Sequence, residues 1–230
     1  MTGKELIAKA QYITDRCKTV YMWGTFGAPL SQDLIVQKAK QYPSRYPAAT
    51  QNALKTLLGK GCYAFDCVGL IKGILWGWDD SKAKVYGGAV YASGGVPDTG
   101  ANGFISLCRE VSTDFSRIVP GEAVWMDGHI GIYIGGGKVI EASPAWANGV
   151  QITACLNTGA VSGLNGRRWT KHGRIPYVTY EEEKPVRYAL EIPAQTCYFN
   201  SGQEARAAAA VIAGIRDRSG SALKAVAETK

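Results

Sequence analysis

The stretch from Ala123 to Ala142 constrains the fold most. Three apolar blocks, Ala123-Val-Trp-Met126, His129-Ile-Gly-Ile-Tyr-Ile134 and Lys138-Val-Ile-Glu-Ala142, are separated by Asp127-Gly128 and by Gly135-Gly-Gly137. Short apolar blocks punctuated in this way read as hairpin-connected strands, and such strands need a second layer on their apolar face. The N-terminal half supplies one. Leu6, Ile7, Ala10, Ile13, Cys17 and Val20 recur near helical spacing and predict an amphipathic helix over 3–20. Phe65-Asp-Cys-Val-Gly-Leu-Ile-Lys-Gly-Ile-Leu-Trp76 predicts a buried helix beginning at or beside Cys67, with Asp66 as its N-cap. Helices first and an antiparallel sheet afterwards imply an α+β domain.

Other segments fit around this frame. Residues 150–153 and 169–177 predict further strands. Residues 27–61 are polar, carry Pro29, Pro43 and Pro47, and hold two short helical patterns, as an insertion between core elements would. Residues 79–118 read only as loops and short helices. The charged, proline-bearing segment Glu181-Glu-Glu-Lys-Pro-Val-Arg187 predicts a boundary. The expected organisation is a domain over 1–180, a linker over 181–188 and, over 189–230, a small C-terminal module or the start of a further binding region, with a short strand at 188–192 and a helical stretch at 203–216.

Of the 230 residues, 46% are apolar and 20% charged, enough to bury a core and unlike a disordered chain. No stretch approaches the roughly 20 apolar residues of a membrane-spanning helix, so membrane insertion is not expected. The N-terminus lacks the apolar core of a secretory signal, and export by that route is not expected. Six cysteines at 17, 62, 67, 108, 155 and 197 form no Cys-x-x-Cys pair and are read as thiols. With only two histidines, zinc is not expected. The net charge of +7 lies wholly in residues 1–180, with 19 Lys+Arg against 12 Asp+Glu, while 181–230 hold 7 against 7. Such a balance suits a polyanionic partner. That partner could be nucleic acid or an anionic cell wall, and no basic stripe interleaved with aromatics favours the former.

Cys67, at a helix start, would sit among free backbone N–H groups that favour a thiolate; a small buried core residue is the alternative. Its base must be His129 or His172. His172 lies in the basic, surface-like Trp-Thr-Lys-His-Gly-Arg, whereas His129 opens an apolar strand. If Gly135-Gly-Gly137 is a three-residue loop, Ile134 pairs with Lys138 and Gly131 faces Glu141, which makes His129 and Glu141 diagonal neighbours on one sheet face. A carboxylate there would fix the imidazole's tautomer and stabilise its charged form. The alternative is a solvent-facing glutamate. Gly135-Gly-Gly-Lys138 lacks phosphate-loop spacing and reads as a turn.

Tyr21-Met-Trp-Gly24, Phe65-Asp-Cys-Val-Gly-Leu70 and Gly128-His-Ile-Gly-Ile-Tyr-Ile-Gly-Gly-Gly-Lys-Val-Ile-Glu-Ala142, in this order, resemble the NlpC/p-sixty papain-like cysteine peptidases that cut bacterial cell walls. The Val after the cysteine, the Glu and the following Pro144-Ala-Trp-Ala-Asn-Gly-Val-Gln-Ile152 resemble the phage and prophage lysins among them. The resemblance covers about residues 1–180. It implies a papain-like fold, a nucleophile helix packed on a small antiparallel sheet, with a small C-terminal appendage. It implies metal-independent hydrolysis of peptidoglycan stem peptides, commonly at the γ-D-glutamyl–diamino acid bond. Cys67 would be the nucleophile, His129 the base and then acid, and Glu141 the orienting residue. Tyr21, Asp66 and Trp23 would border the nucleophile and shape the substrate site. Two departures stand out: Val68 where the family often has Ser, and the long spacing from Trp23 to Asp66.

The expectation is therefore a phage-type lysin held in the host cytoplasm until lysis and then acting on the wall. Cleavage of the lactyl–L-Ala amide, an antibacterial toxin with the same triad, or an inactive wall-binding module are the alternatives.

Overall fold

The computed structural model describes residues 1–180, 187–192, 195–199, 201, 203, 204, 206–208 and 224–228. The chain divides into two compact units, Met1–Tyr180 and Glu181–Lys230. The first is a mixed α+β unit. Helix α1 (Gly3–Arg16) opens on a capping box in which Thr2 and Glu5 satisfy each other's backbone N–H groups. Leu6, Ala10 and Ile13 are its buried face. The helix is shorter than the apolar spacing suggested: Cys17 is extended and Val20 belongs to strand β1 (Thr19–Tyr21), where its side chain is buried in a sheet. Strand β2 (Phe26–Pro29) and β3 (Tyr63–Phe65) complete a small sheet in the order β1-β3-β2, with β1 parallel to β3. Residues 27–29 of the polar stretch are thus part of that sheet. Helices α2 (Gln32–Gln41) and α3 (Ala48–Lys55) follow, and Leu34, Ile35, Tyr46 and Leu54 pack on Val20, Met22, Ala28 and Ala64 as a separate apolar cluster.

Helix α4 (Cys67–Leu75) is buried along nearly its whole length, which is why its sequence is apolar all round rather than on one stripe. Helix α5 (Ala101–Leu107) and strand β4 (Arg109–Ser112) lie within the region that gave no sequence pattern. Strands β5 (Ala123–Met126), β6 (His129–Gly135), β7 (Lys138–Ser143), β8 (Gly149–Cys155), β9 (Gly166–Arg167) and β10 (Lys171–Arg174) join β4 in a seven-stranded sheet ordered β4-β10-β5-β6-β7-β8-β9. On one face Ile130, Ile132 and Ile140 join Leu6, Ile13, Leu70 and Ile74 from α1 and α4 in the main core. On the other, Phe115, Val124, Tyr133, Val139, Cys155 and Trp169 form a second cluster.

The β6–β7 connection differs from the three-residue loop. Gly135 pairs with Lys138, leaving a two-residue turn at Gly136-Gly137, and a register irregularity falls between Tyr133 and Gly135. Both turn residues have positive φ, +59° and +72°, the backbone that two-residue hairpin turns favour and that glycine adopts without strain. Beyond the irregularity, Ile132 faces Ile140, so the interior register is the one the longer loop would have given.

In the second unit, β11 (Arg187–Ile192) pairs antiparallel with both β12 (Gln195–Phe199) and β13 (Lys224–Glu228). Most of the 203–216 stretch lies outside the described residues.

Candidate active site

The start of α4 is fixed by one carboxylate. Asp66 Oδ1 accepts from the Gly69 N–H at 2.5 Å and Oδ2 from the Gly24 N–H at 2.7 Å, so the N-cap also ties down the segment after Trp23. Burial raises the Asp66 carboxyl above its ordinary value, against the two backbone N–H bonds and Lys72. Gly69 shows why the segment can lie so close: a Cβ there would meet the Thr25 carbonyl oxygen at 1.9 Å. Gly73, one turn on, takes the Phe26 carbonyl in the same way, at 2.4 Å from a Cβ. Together they make a flat stripe on α4 that places Trp23-Gly24-Thr25 beside Cys67.

Cys67 is the first residue of α4 and is buried. The backbone N–H groups of Val68, Ile130 and Cys67 itself favour its thiolate, as a helix start should, but burial first and the Asp66 carboxylate second push the thiol up to about 12. The expectation of a depressed thiol pKa is therefore corrected: desolvation outweighs the helix terminus.

The Cys67 thiol approaches the Gly128 carbonyl at 4.0 Å, which sets it against the backbone at the entry to β6, next to His129. No hydrogen bond joins the thiol to the imidazole. His129 and Glu141 are in contact, with Nε2 to Oε2 at 2.6 Å. A carboxylate only accepts, so the proton lies on Nε2 and Nδ1 is the basic nitrogen. The Trp169 ring stacks on the imidazole, with centroids 5.5 Å apart and planes 13° apart.

Glu141 is fully buried rather than solvent-facing. Thr153 Oγ1 donates to Oε1 at 2.7 Å, and Arg167 Nε donates to Oε1 at 3.0 Å and Oε2 at 2.8 Å. Burial raises its pKa, but the His129 bond and charge, Thr153 and Arg167 together bring it below the ordinary glutamate value. Arg167 also donates from Nη2 to Ser143 Oγ at 2.8 Å and lies 4.6 Å from the Trp146 ring centroid. Thr153, Arg167 and Trp169 carry no motif of their own. They become visible only through strand pairing, Thr153 opposite Val139 and Arg167 on the two-residue strand beside Cys155.

Two cavities flank Trp23. One, of about 410 Å³, is lined by Cys67, Asp66 and Trp23 together with Lys38 and Tyr42 of the α2 region. The other, of about 460 Å³, is lined by Tyr21 and Trp23 with Arg45, Leu57 and Asn148. The Arg45 guanidinium sits 4.2 Å from the Trp23 ring centroid. Burial first, then the Cys67 and Asp66 charges, push the Tyr21 phenol far above its ordinary value, so it stays a hydrogen-bond donor.

His172 is not a surface residue. It is buried, with Nδ1 2.5 Å from Glu122 Oε2 and Nε2 2.9 Å from the Asp114 carbonyl. Burial lowers its pKa, yet these partners raise it by more. Among the described residues Cys17, Cys62, Cys67, Cys108 and Cys155 are free thiols, and no group of acidic, histidine or cysteine side chains could hold a metal ion. No helix among them is long and apolar enough to cross a membrane.

No family model matches the chain, and no curated protein matches it. Among solved structures it is similar to the crystal structure of the P60 domain of an antigen from M. avium subspecies paratuberculosis, at 20% identity and a TM-score of 0.40 over 75% of this chain and 96% of that one. At that level the likeness decides nothing about chemistry, which the side chains of Cys67, His129 and Glu141 must carry.

Proposed function

We propose that the chain is a cysteine hydrolase of the NlpC/p-sixty type, cutting an amide bond of the peptidoglycan stem peptide. Cys67 is the nucleophile, His129 the base and then the acid, and Glu141 the residue that orients and charges the imidazole. The observation that carries this reading is the buried Glu141 carboxylate on His129 Nε2 at 2.6 Å, with the Cys67 thiol 4.0 Å from the Gly128 carbonyl just before that histidine. Gly128, which the thiol approaches, lines the same cavity as Cys67 and directly precedes His129 in the chain, which supports the reading.

The chemistry follows from the environment. With its thiol pushed up to about 12, Cys67 loses its proton to His129 Nδ1 as it attacks the substrate carbonyl. The imidazolium that forms is stabilised by Glu141, whose pKa burial raises but His129, Thr153 and Arg167 together bring below the ordinary glutamate value. The N–H groups at the start of α4 are placed to stabilise the oxyanion. His129 then returns the proton to the leaving amine, giving a thioester that water hydrolyses. Tyr21, Trp23 and Asp66 border the substrate. The bond is the γ-D-glutamyl–diamino acid amide, and the setting is a phage lysin acting on an anionic wall; the motif pattern and the +7 charge support both.

Digestion of purified walls followed by mass spectrometry of the muropeptides tests this. The expected product carries a new amino group on the diamino acid; one on L-Ala instead would mean an amidase. Cys67→Ser should abolish cleavage with the fold retained, and chelators should have no effect. Near wild-type clearing by Cys67→Ser would overturn the cysteine mechanism.

A further inference from the structure

Four charged side chains line the cavity that holds Cys67: Lys38, Asp66, Lys72 and Asp98. Three of them are matched within the protein. The Lys72 ammonium is ion-paired with Asp98 and donates to the Thr99 carbonyl at 3.0 Å. Asp98 also accepts from the Tyr91 hydroxyl at 2.8 Å. Asp66 is occupied by the N–H groups of Gly69 and Gly24. Lys38 differs. Its Nζ donates to the neutral Gln41 Oε1 at 3.1 Å and lies 5.7 Å from the centroid of the Tyr42 ring. Among the described residues it forms no ion pair.

The Lys38 side chain is partly buried. Burial lowers its pKa, while the charges of Asp66 and Asp98 raise it and that of Lys72 lowers it, so all four groups act through the same space. A partly desolvated cation whose hydrogen-bond partner is a neutral amide is met better by an anionic ligand than by solvent. Gln41 and Tyr42, three and four residues on, hold Nζ in place, which reduces the entropy a ligand must remove.

We propose that Lys38 is a subsite cation that receives a free carboxylate of the substrate, on the residue adjoining the amide attacked by Cys67. The inference rests on the hydrolase reading above and adds the class of substrate: a peptide bearing an ionised carboxylate beside the scissile bond. A γ-linked glutamyl residue has such a group, because the γ linkage leaves its α-carboxylate free. The same peptide with that group amidated presents no charge to Lys38 and loses the charge-assisted bond, a difference of roughly tenfold or more in affinity.

The test uses the full chain and two soluble stem peptides that differ only in carboxylate or carboxamide at that position. Wild type should prefer the carboxylate, mainly through KM. Lys38→Gln should raise KM for the carboxylate peptide about tenfold and collapse the preference, Lys38→Glu should reverse it, and Lys38→Arg should restore it. Equal loss on both peptides, or an unchanged ratio in Lys38→Gln, would overturn the subsite. Calorimetry with Cys67→Ala measures the same preference without turnover. If wild type cleaves neither peptide, the hydrolase reading falls, and binding still decides Lys38. A carboxylate preference that Lys38→Gln abolishes upholds the site, and no preference overturns it.

Discussion

The sheet contains two histidine–glutamate pairs, and their chemistry diverges although their contacts are nearly the same length. His129 meets Glu141 at 2.6 Å and His172 meets Glu122 at 2.5 Å. In both, the carboxylate is buried. The difference lies on the far side of the ring. His172 presents its second nitrogen to the Asp114 carbonyl, and since carboxylate and carbonyl both accept, both nitrogens must carry protons. These partners hold that ring toward its charged form. Among the described residues the far nitrogen of His129 has no acceptor of this kind, and its side chain keeps 16% of its surface exposed, against 5% for His172. A histidine that can gain and lose a proton needs one open nitrogen, and a carboxylate partner alone does not distinguish a base from a strut.

The sharpest way to break this comparison is to truncate each ring. On the mechanism proposed above, His129→Ala removes the base and the group that receives the thiol proton, so kcat/KM should fall by roughly 10²–10⁴-fold, with the melting temperature little changed. A His129→Ala enzyme with near wild-type turnover on muropeptides would reverse the assignment of roles.

His172→Ala should do the opposite. It leaves Glu122 buried with only Arg174, whose Nε is 3.7 Å away, as a nearby cation. Breaking a buried pair costs about 3 kcal/mol or more, roughly 6–12 °C in a unit of this size. Activity at 25 °C should persist. The sign with pH is also fixed. Because the folded-state pKa of His172 is raised, the pair's contribution is whole below the ordinary histidine value and is lost as pH rises through the folded value. The gap in melting temperature between wild type and His172→Ala should therefore narrow from pH 6 to pH 9. A gap that widens would mean the ring is neutral when folded.

The sequence makes one of these pairs legible and hides the other. His129 and Glu141 lie on adjacent strands joined by a two-residue turn, so pairing arithmetic alone puts them on one face, and an error of one residue in the loop was absorbed by the irregularity before Gly135. Asp66 and Cys67 are equally local, a cap and the first residue of a helix. His172 lies on β10 and Glu122 just before β5, separated by the whole hairpin series, and a neighbourhood that is basic in sequence is buried in space. Arg167 is hidden for the same reason, since only the pairing of β9 beside β8 brings it to Glu141. The Gly69 and Gly73 stripe looks like weakened helix until the Thr25 and Phe26 carbonyls are laid on it. The thiol pKa is not legible in the sequence, because a helix start can be read locally whereas desolvation depends on everything packed around it.

The smallest effect expected belongs to Arg167, which sharpens the comparison by asking what keeps Glu141 charged. Arg174 stands off from Glu122 at 3.7 Å, whereas Arg167 Nε reaches both Glu141 oxygens at 3.0 and 2.8 Å. Arg167→Gln removes that charge while Thr153 and His129 remain, so Glu141 should move up from its depressed position toward the ordinary carboxyl range. At neutral pH the rate should fall about tenfold, the scale of one charge-assisted hydrogen bond. The acid side of the pH profile should shift upward, because the carboxylate protonates sooner as pH falls. Stability follows the same sign: the contribution of a depressed carboxyl is present above its unfolded value and lost as pH falls through the folded one, so the variant should be less stable than wild type at pH 6 and converge with it in acid. Arg167→Lys keeps the charge but not the planar fork, and should restore the pH profile more fully than the rate. A profile of Arg167→Gln superimposable on wild type from pH 4 to pH 9 would show that Glu141 stays ionised without the arginine, and that His129 and Thr153 suffice to hold it.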